Sequence, residues 1–481
     1  MTDHSRRDLS VALLLATISL STSVLLDAGL VGSNDGAHFA LVRALADDHS
    51  PVIDRFVSYT RHVDLSERGG HFYSDRPPGT ALLALPLYAA AKAMAASPED
   101  QEAITALLAA ALGALAVALT YLVGRRLGLA RTPAALGALA LALCTPLRTY
   151  SSALWSHAPS AFFEICAVWL ALGIIARPAS PPARRLLFLL GLTAGFAVGV
   201  DYSAAVSGGV ICLAAAWPAL AGKPARPAER AHALAPLAAG LLAGAAPALA
   251  YSWVAFGSPF ATPYQYHLGF EVTRKLGDMY GGDFLDGFTG LLFRPRAGLL
   301  LYSPVLALGL WALPGWWRAL GTRRAAAALL PGIAMLLLTS RHATWDGGAA
   351  HDARYLLLVI PAFCLPVGFF YAWARGGQGA PSRGGALALF WGLFYLSALV
   401  QAVKHAAGWM RSATPFVLQI LDAASRSAPV PVRELLAWLF PHPLAAACVL
   451  ALGLAGAALV WPRAAVEAAV AVPAALNPAG E

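Results

Sequence analysis

The sequence predicts an all-α, polytopic integral membrane protein with about 12 transmembrane helices, and composition and the placement of its basic residues are the observations behind this. Hydrophobic residues make up 58% of the 481 and charged residues only 12%, with a mean hydropathy of +0.62, far from the range of soluble globular proteins. A water-soluble enzyme is excluded. Apolar stretches of about 17 to 25 residues recur along the chain, each long enough to cross a hydrocarbon core of ~30 Å as a helix. The formal net charge is +8, but Lys and Arg occur in twos and threes in short loops, a pattern of topology and not of nucleic-acid binding. Cys144, Cys166, Cys212, Cys364 and Cys448 all sit in apolar segments at no metal-like spacing and read as small core residues.

The expected spans are 9–26, 103–123, 133–150, 158–176, 186–200, 203–221, 232–254, 298–317, 325–340, 354–374, 385–403 and 442–461. Ser5-Arg6-Arg7 before the first has the charge layout of a signal peptide, but no small-residue cleavage site ends it, so it reads as an uncleaved first helix. Thr80–Ala96 is also apolar, and counting it as a span inverts everything after it. If it stays at the surface, the loops carrying Arg125, Arg126 and Arg131, then Arg177, Arg184 and Arg185, then Lys223, Arg226 and Arg230, then Arg318, Arg323 and Arg324, then Arg375 and Arg383 all share the side of Arg6 and Arg7. Its modest length, Pro86 and Lys92 agree with a surface helix. Both termini are then cytoplasmic, and one polytopic domain spanning 1–481 sends 27–102, 255–297, 341–353 and 404–441 to the outer side. These segments are too small for separate domains, so chemistry is expected at the membrane surface.

The first outer loop, 27–102, starts with Gly32-Ser33-Asn34-Asp35-Gly36-Ala37-His38-Phe39, followed by Ala40, Leu41, Ala44 and Leu45 at helical spacing. This predicts a short amphipathic helix on the bilayer, capped by Ser33 or Asn34. Asp35 at its start is either a catalytic base or a second cap or solvated acid. Farther on, His71-Phe72-Tyr73-Ser74-Asp75-Arg76-Pro77-Pro78-Gly79 places an acid and a base before two prolines that keep Arg76 out of the next helix. The Arg76 guanidinium suits phosphate oxygens, and an Asp75–Arg76 turn capping the next helix is the competing reading.

Together these pieces resemble the membrane glycosyltransferases of the GT-C superfamily, the group that includes bacterial aminoarabinose transferases and the protein O-mannosyltransferases. The resemblance rests on an acid just after the first span (Asp35), a long first outer loop with surface helices, and the Asp75-Arg76-Pro77 element. Phe256-Gly257-Ser258-Pro259-Phe260, Gly298 to Pro304, Trp345-Asp346-Gly347-Gly348 and Ala353-Arg354-Tyr355-Leu356 resemble a bacterial branch of the same group. The resemblance covers roughly residues 10–375 and implies transfer of a sugar from a polyprenyl-phosphate carrier to an acceptor hydroxyl, with bilayer, lipid-linked donor and a membrane-associated or periplasmic acceptor as partners, in a bacterial cytoplasmic membrane. Asp35 stands between Asn34 and Gly36 where many relatives have paired acids, and Ser156-His157 stands where many have a second acid.

Such a reaction needs positive charge around the departing phosphate and a base for the acceptor hydroxyl. Arg76 and Arg354 are the phosphate candidates and Asp35 the base, with Asp75 and His157 as further catalytic candidates and Asp201 and Tyr264 as substrate contacts. Arg354 reads equally as a residue snorkelling to headgroups, and His157 as a helix-end histidine satisfied by water. Asp201 occupies a tight turn between two spans, and Tyr264, Gln265, Tyr266 and His267 suit a carbohydrate or an interfacial aromatic belt. His342, Asp346, His351 and Asp352 share a short loop and could in principle hold a divalent cation, but at no established ligand spacing, so no metal ligand is assigned. The alternative class is a transporter or flippase of lipid-linked sugars, for which the sequence offers little: Glu164 is the one acid placed deep in a span, and no internal repeat appears. A scaffold for envelope assembly is a third reading.

Overall fold

A computed structural model describes residues 3–24, 29–176, 181–221, 227–348, 352–376 and 382–406. The expected span 442–461, His351, Cys448 and the loop after Ala406 lie outside the described residues. The described chain is almost wholly helical: α1 (Asp3–Val24), α2 (Ser33–Asp47), the hairpin β1 (Leu65–Arg68) and β2 (His71–Ser74), α3 (Gly79–Ala93), α4 (Pro98–Arg126), α5 (Arg131–Cys144), α6 (Leu147–Tyr150), α7 (His157–Ala176), α8 (Pro181–Val200), α9 (Ala204–Ala221), α10 (Pro227–Phe256), α11 (Leu276–Met279), α12 (Phe284–Phe293), α13 (Leu299–Tyr302), α14 (Leu306–Leu320), α15 (Thr322–Ser340), α16 (Ile360–Arg375) and α17 (Gly384–Ala406). Among the described residues, 7 helices are long and apolar enough to cross a membrane, which makes this a multi-pass membrane protein. α3 has 15 residues, about 22 Å at 1.5 Å per residue, and falls short of that thickness.

Prolines set the differences from the expected spans. The expected helix 133–150 ends at Cys144, because Pro146 keeps Thr145 extended, and α6 is a separate turn. The expected helix 298–317 is likewise interrupted at Ser303-Pro304, and the segment from Arg354 starts as a 3-10 turn that becomes α16 at Ile360-Pro361.

Residue contacts group the chain into two compact units. The first contains 1–15, 120–146 and the described residues from 280 onward; the second contains 16–119 and 147–279. In the first, α5 packs on α16 and α17, and Asp8 is held by Tyr121, Arg125 and Arg131. In the second, α8 packs along α10 and also meets α7 and α9, while α2 lies against α3 and the 3-10 turn Asp54–Thr60.

α2 forms where the apolar spacing places it, but it is enclosed instead of resting with one wet face on a surface. Every residue from Asn34 to Val42 is buried, within a core that includes Phe39, Leu41, Ile53, Phe56 and Tyr88. The reason is the neighbouring turn: Gly36 passes so close to it that a Cβ would lie 1.9 Å from the Tyr59 carbonyl oxygen. The cap also differs from expectation. Gly32 is the N-cap, neither Ser33 nor Asn34 serves, and Asp35 reaches back to accept from the N–H groups of Val31 and Gly32 at 2.6 and 2.8 Å.

Candidate functional site

The hairpin of the second unit builds the site. β1 and β2 are joined by Gly69-Gly70, both with positive φ, the backbone a two-residue hairpin turn requires. The register sets Leu65 opposite Ser74, so Asp64 and Asp75, one residue beyond each, come side by side. Two carboxylates at such a position repel unless a cation lies between them. Arg76 supplies it: its Nη2 pairs with Asp64 Oδ1 and its Nε lies 3.1 Å from Asp75 Oδ1. Pro77 and Pro78 then turn the chain into α3, whose N-cap is Pro78 with no side-chain cap, so the Asp75–Arg76 pair does not cap that helix.

A third group arrives from far along the chain. Residues 263–268 dock beside β1, with Ser66 Oγ donating to the Pro263 carbonyl at 2.7 Å and Leu268 N–H donating to the Leu65 carbonyl at 2.8 Å. This carries His267 Nε2 to 3.1 Å from Asp75 Oδ2. His267 Nδ1 accepts from the Phe270 N–H at 3.2 Å, which assigns the ring proton to Nε2 and makes it the donor to Asp75. Burial pushes the Asp75 carboxyl above the usual carboxylate range, against the opposing pull of Arg76.

Asp64, Asp75 and His267 have ligand atoms within 4.8 Å of one another, close enough to surround a cation. The donor set does not fit one. A metal needs the Nε2 lone pair, and that nitrogen carries the proton while Phe270 donates to Nδ1; Arg76 already pairs with both acids. The cluster is an ion-pair network.

α2 closes the site from the other side. With its amide assigned so that the oxygen and not the NH2 meets the Arg76 donors, Asn34 sets that oxygen 3.1–3.2 Å from all three guanidinium nitrogens, over the face of the group. One turn later His38 lies fully buried on the same face and feels the charges of Arg76 and Asp64. Asp35, also fully buried, has its carboxyl pushed up to about 6 by desolvation, although backbone N–H groups of residues 31, 32, 35 and 36 hold it down.

The other expected residues fall as follows. Tyr264 faces this cluster: burial raises its phenol and the Arg76 charge lowers it, and its ring meets Tyr202 edge-on at 5.6 Å. Asp201 closes the turn between α8 and α9, accepting from the N–H and hydroxyl of Ser203 at 3.0 and 2.7 Å. His157, at the start of α7, stacks on Tyr150 at 4.7 Å and meets Trp155 edge-on. Tyr266 stacks on Phe256 at 4.9 Å. Arg354 belongs to the first unit, where its guanidinium lies 5.1 Å from the Tyr355 ring. The supposed cation loop is divided among separate partners: Asp346 pairs with Arg296, Asp352 with Lys404, and His342 sits between Tyr280 and Tyr355. Sequence reasoning missed Asp64 and His38 and took His267 for a carbohydrate contact or part of an interfacial aromatic belt. The Asn34–His38 spacing of one helical turn was the available signal for His38; Asp64 and His267 had none.

The described chain is a polytopic membrane protein, and the fold it shares with solved structures is the GT-C fold. Residues 87–242 match the family model described as dolichyl-phosphate-mannose-protein mannosyltransferase, a stretch that begins after the Asp64–Asp75–Arg76 cluster. The chain is similar to ArnT from Cupriavidus metallidurans bound to undecaprenyl phosphate, with a TM-score of 0.55 at 17% identity over 97% of this chain and 77% of that one. It is also similar to the oligosaccharyltransferase AglB from Archaeoglobus fulgidus, in complex with an inhibitory peptide and a dolichol-phosphate, with a TM-score of 0.54 at 16% identity over 91% of this chain and 60% of that one. At these identities the likeness is one of fold, and it bears out the fold expected from the GT-C resemblance. No curated protein sequence matches the chain.

Proposed function

We propose that this chain is a membrane glycosyltransferase that moves a hexose or pentose from a polyprenyl-phosphate carrier to an acceptor hydroxyl at the outer face of a bacterial cytoplasmic membrane. The observation that carries it is the buried Asp64–Arg76–Asp75 network on the first large loop of a GT-C fold. Two structures of the same fold hold lipid phosphates, undecaprenyl phosphate in one and dolichol-phosphate in the other, which supports a lipid-linked donor here.

In this reading the acceptor oxygen bonds to the anomeric carbon as the bond from that carbon to the phosphate oxygen breaks, and the electron pair leaves on the phosphate. Arg76 meets the departing charge. Because two carboxylates already engage it, its fork turns to phosphate most readily when Asp75 takes up a proton, the direction in which burial drives that acid. The acceptor proton passes to Asp35, whose carboxyl burial pushes up to about 6, toward the range a general base needs. Tyr264, Asp201 and His157 are the proposed sugar and acceptor contacts.

Purified protein reconstituted with polyprenyl-phosphate sugars and candidate acceptors tests the reading. Turnover is expected; movement of the lipid across the bilayer without transfer would replace the enzyme with a flippase. The orientation has its own test. In a cysteine-free background, Ser97→Cys, exposed between α3 and α4, is expected to react with an impermeant thiol reagent in intact cells, while Ala130→Cys, exposed between α4 and α5, is not. Ala130 serves better than neighbouring Gly128, whose φ of +94° a cysteine would adopt only with strain. Labelling at 130 but not at 97 reverses the topology.

A further inference from the structure

His38 has both ring nitrogens buried and unsatisfied: its side chain is 0% exposed, and neither Nδ1 nor Nε2 has a hydrogen-bond partner among the described residues. A buried polar atom left unsatisfied is costly, and here there are two on one ring where an apolar side chain would avoid the cost. The ring stands one helical turn from Asn34, whose amide lies over the Arg76 guanidinium, and within the field of both Arg76 and Asp64. It therefore borders the cluster through the face of α2 that packs on Arg76.

A neutral imidazole offers one N–H donor and one lone pair. Burial and the neighbouring Arg76 charge keep this one neutral, with its pKa lowered to about 3, so it takes up no second proton at physiological pH. A phosphate without a proton offers only acceptors and would leave the lone-pair nitrogen unsatisfied. A hydroxyl supplies the missing donor, and a sugar attached to a phosphate brings hydroxyls beside the acceptor oxygens that Arg76 attracts.

We infer that His38 is a specificity-determining residue that hydrogen-bonds a hydroxyl of the sugar on the lipid donor, next to the phosphate held by Arg76. The inference rests on the glycosyl-transfer reading and deepens it. It separates two tasks: Arg76 reads the phosphate common to all such carriers, and His38 reads the sugar.

The test compares full-length wild type with His38→Leu and His38→Gln in nanodiscs. The probes are undecaprenyl phosphate alone and the same lipid bearing glucose, mannose, galactose or arabinose. Wild type is expected to bind at least one sugar-bearing lipid more tightly than the bare phosphate. His38→Leu should lose that preference, by about 3- to 10-fold, the effect of one hydrogen bond to an uncharged hydroxyl, and keep its affinity for the bare phosphate. Without lipid it should melt no lower than wild type, because leucine removes two unsatisfied atoms of similar bulk. His38→Gln, which keeps a donor and an acceptor, should recover part of the preference. Unchanged preference in His38→Leu overturns the inference, as does a lower melting temperature with weakened binding of every lipid, which would make the histidine structural. Equal binding of bare and sugar-bearing lipids by wild type removes the sugar contact and leaves the phosphate reading intact. Failure of wild type to bind any of these lipids overturns the glycosyl-transfer reading and the inference with it.

Discussion

Asp35→Asn is expected to lower single-turnover sugar transfer by at least about 100-fold, the lower bound of what general-base assistance contributes. The capping geometry complicates the simplest version of this experiment. An asparagine at an N-cap replaces aspartate almost without cost, but Asp35 stands three residues inside the cap and uses both oxygens, one on Val31 N–H and one on Gly32 N–H. Asparagine would turn an NH2 donor toward one of those N–H donors, so the variant should also melt lower. The pH dependence of the wild type separates the two effects. With the carboxyl pushed up to about 6, the base form is lost as pH falls, and transfer should drop about tenfold per unit below that value. Stability moves the other way. The folded-state pKa is raised above the ordinary carboxylate value of 3.8, so the native state holds the proton more tightly, and this contribution to stability is fully present at low pH and lost as pH rises through about 6. Single-turnover rates and melting temperatures measured together between pH 5 and about 7.5 check both signs. A transfer rate flat across that range would show that Asp35 is only the cap and that the base lies elsewhere.

Arg76→Lys is expected to keep the protein folded and to reduce kcat/KM for the lipid donor by roughly 10- to 100-fold, the loss of a charge-assisted, two-pronged contact in the transition state. Lysine retains one positive charge between Asp64 and Asp75 but cannot serve both acids and a phosphate with a planar fork. Arg76→Ala, the obvious variant from sequence, asks a different question. It leaves two adjacent buried carboxylates with no counter-charge, and breaking such a buried pair costs on the order of 3–5 kcal/mol. That variant should melt well below wild type, and its lost activity would not identify a phosphate site. Donor kinetics of Arg76→Lys indistinguishable from wild type would take Arg76 out of substrate binding and leave it a structural bridge.

What the sequence determined by itself is the class of architecture and the place of the polar elements along it. A helix that must satisfy its backbone inside lipid needs a long apolar run, and such runs are visible without any knowledge of contacts. Proline at 146 and 304 marked the breaks in two runs read as continuous, because its effect on the preceding residue is local. Asp35, Asp75 and Arg76 were equally legible, since the turn residues around them concern only near neighbours. The tertiary structure alone decided what those residues touch. Asp64 faces Asp75 because the Gly69-Gly70 turn fixes the hairpin register, and a shift of one residue would have sent both acids elsewhere. His267 reaches Asp75 across nearly two hundred residues because the segment after α10 docks on β1, a non-local pairing that leaves no periodic trace. The wetness of α2 was misjudged for the same reason: its apolar stripe was readable, but the Tyr59 turn that covers its other face is supplied by chain folding back over Gly36. Local propensity writes itself into sequence, whereas burial and partnership depend on which distant surfaces meet, and that is why the helices were foreseeable and the orphaned ring of His38 was not.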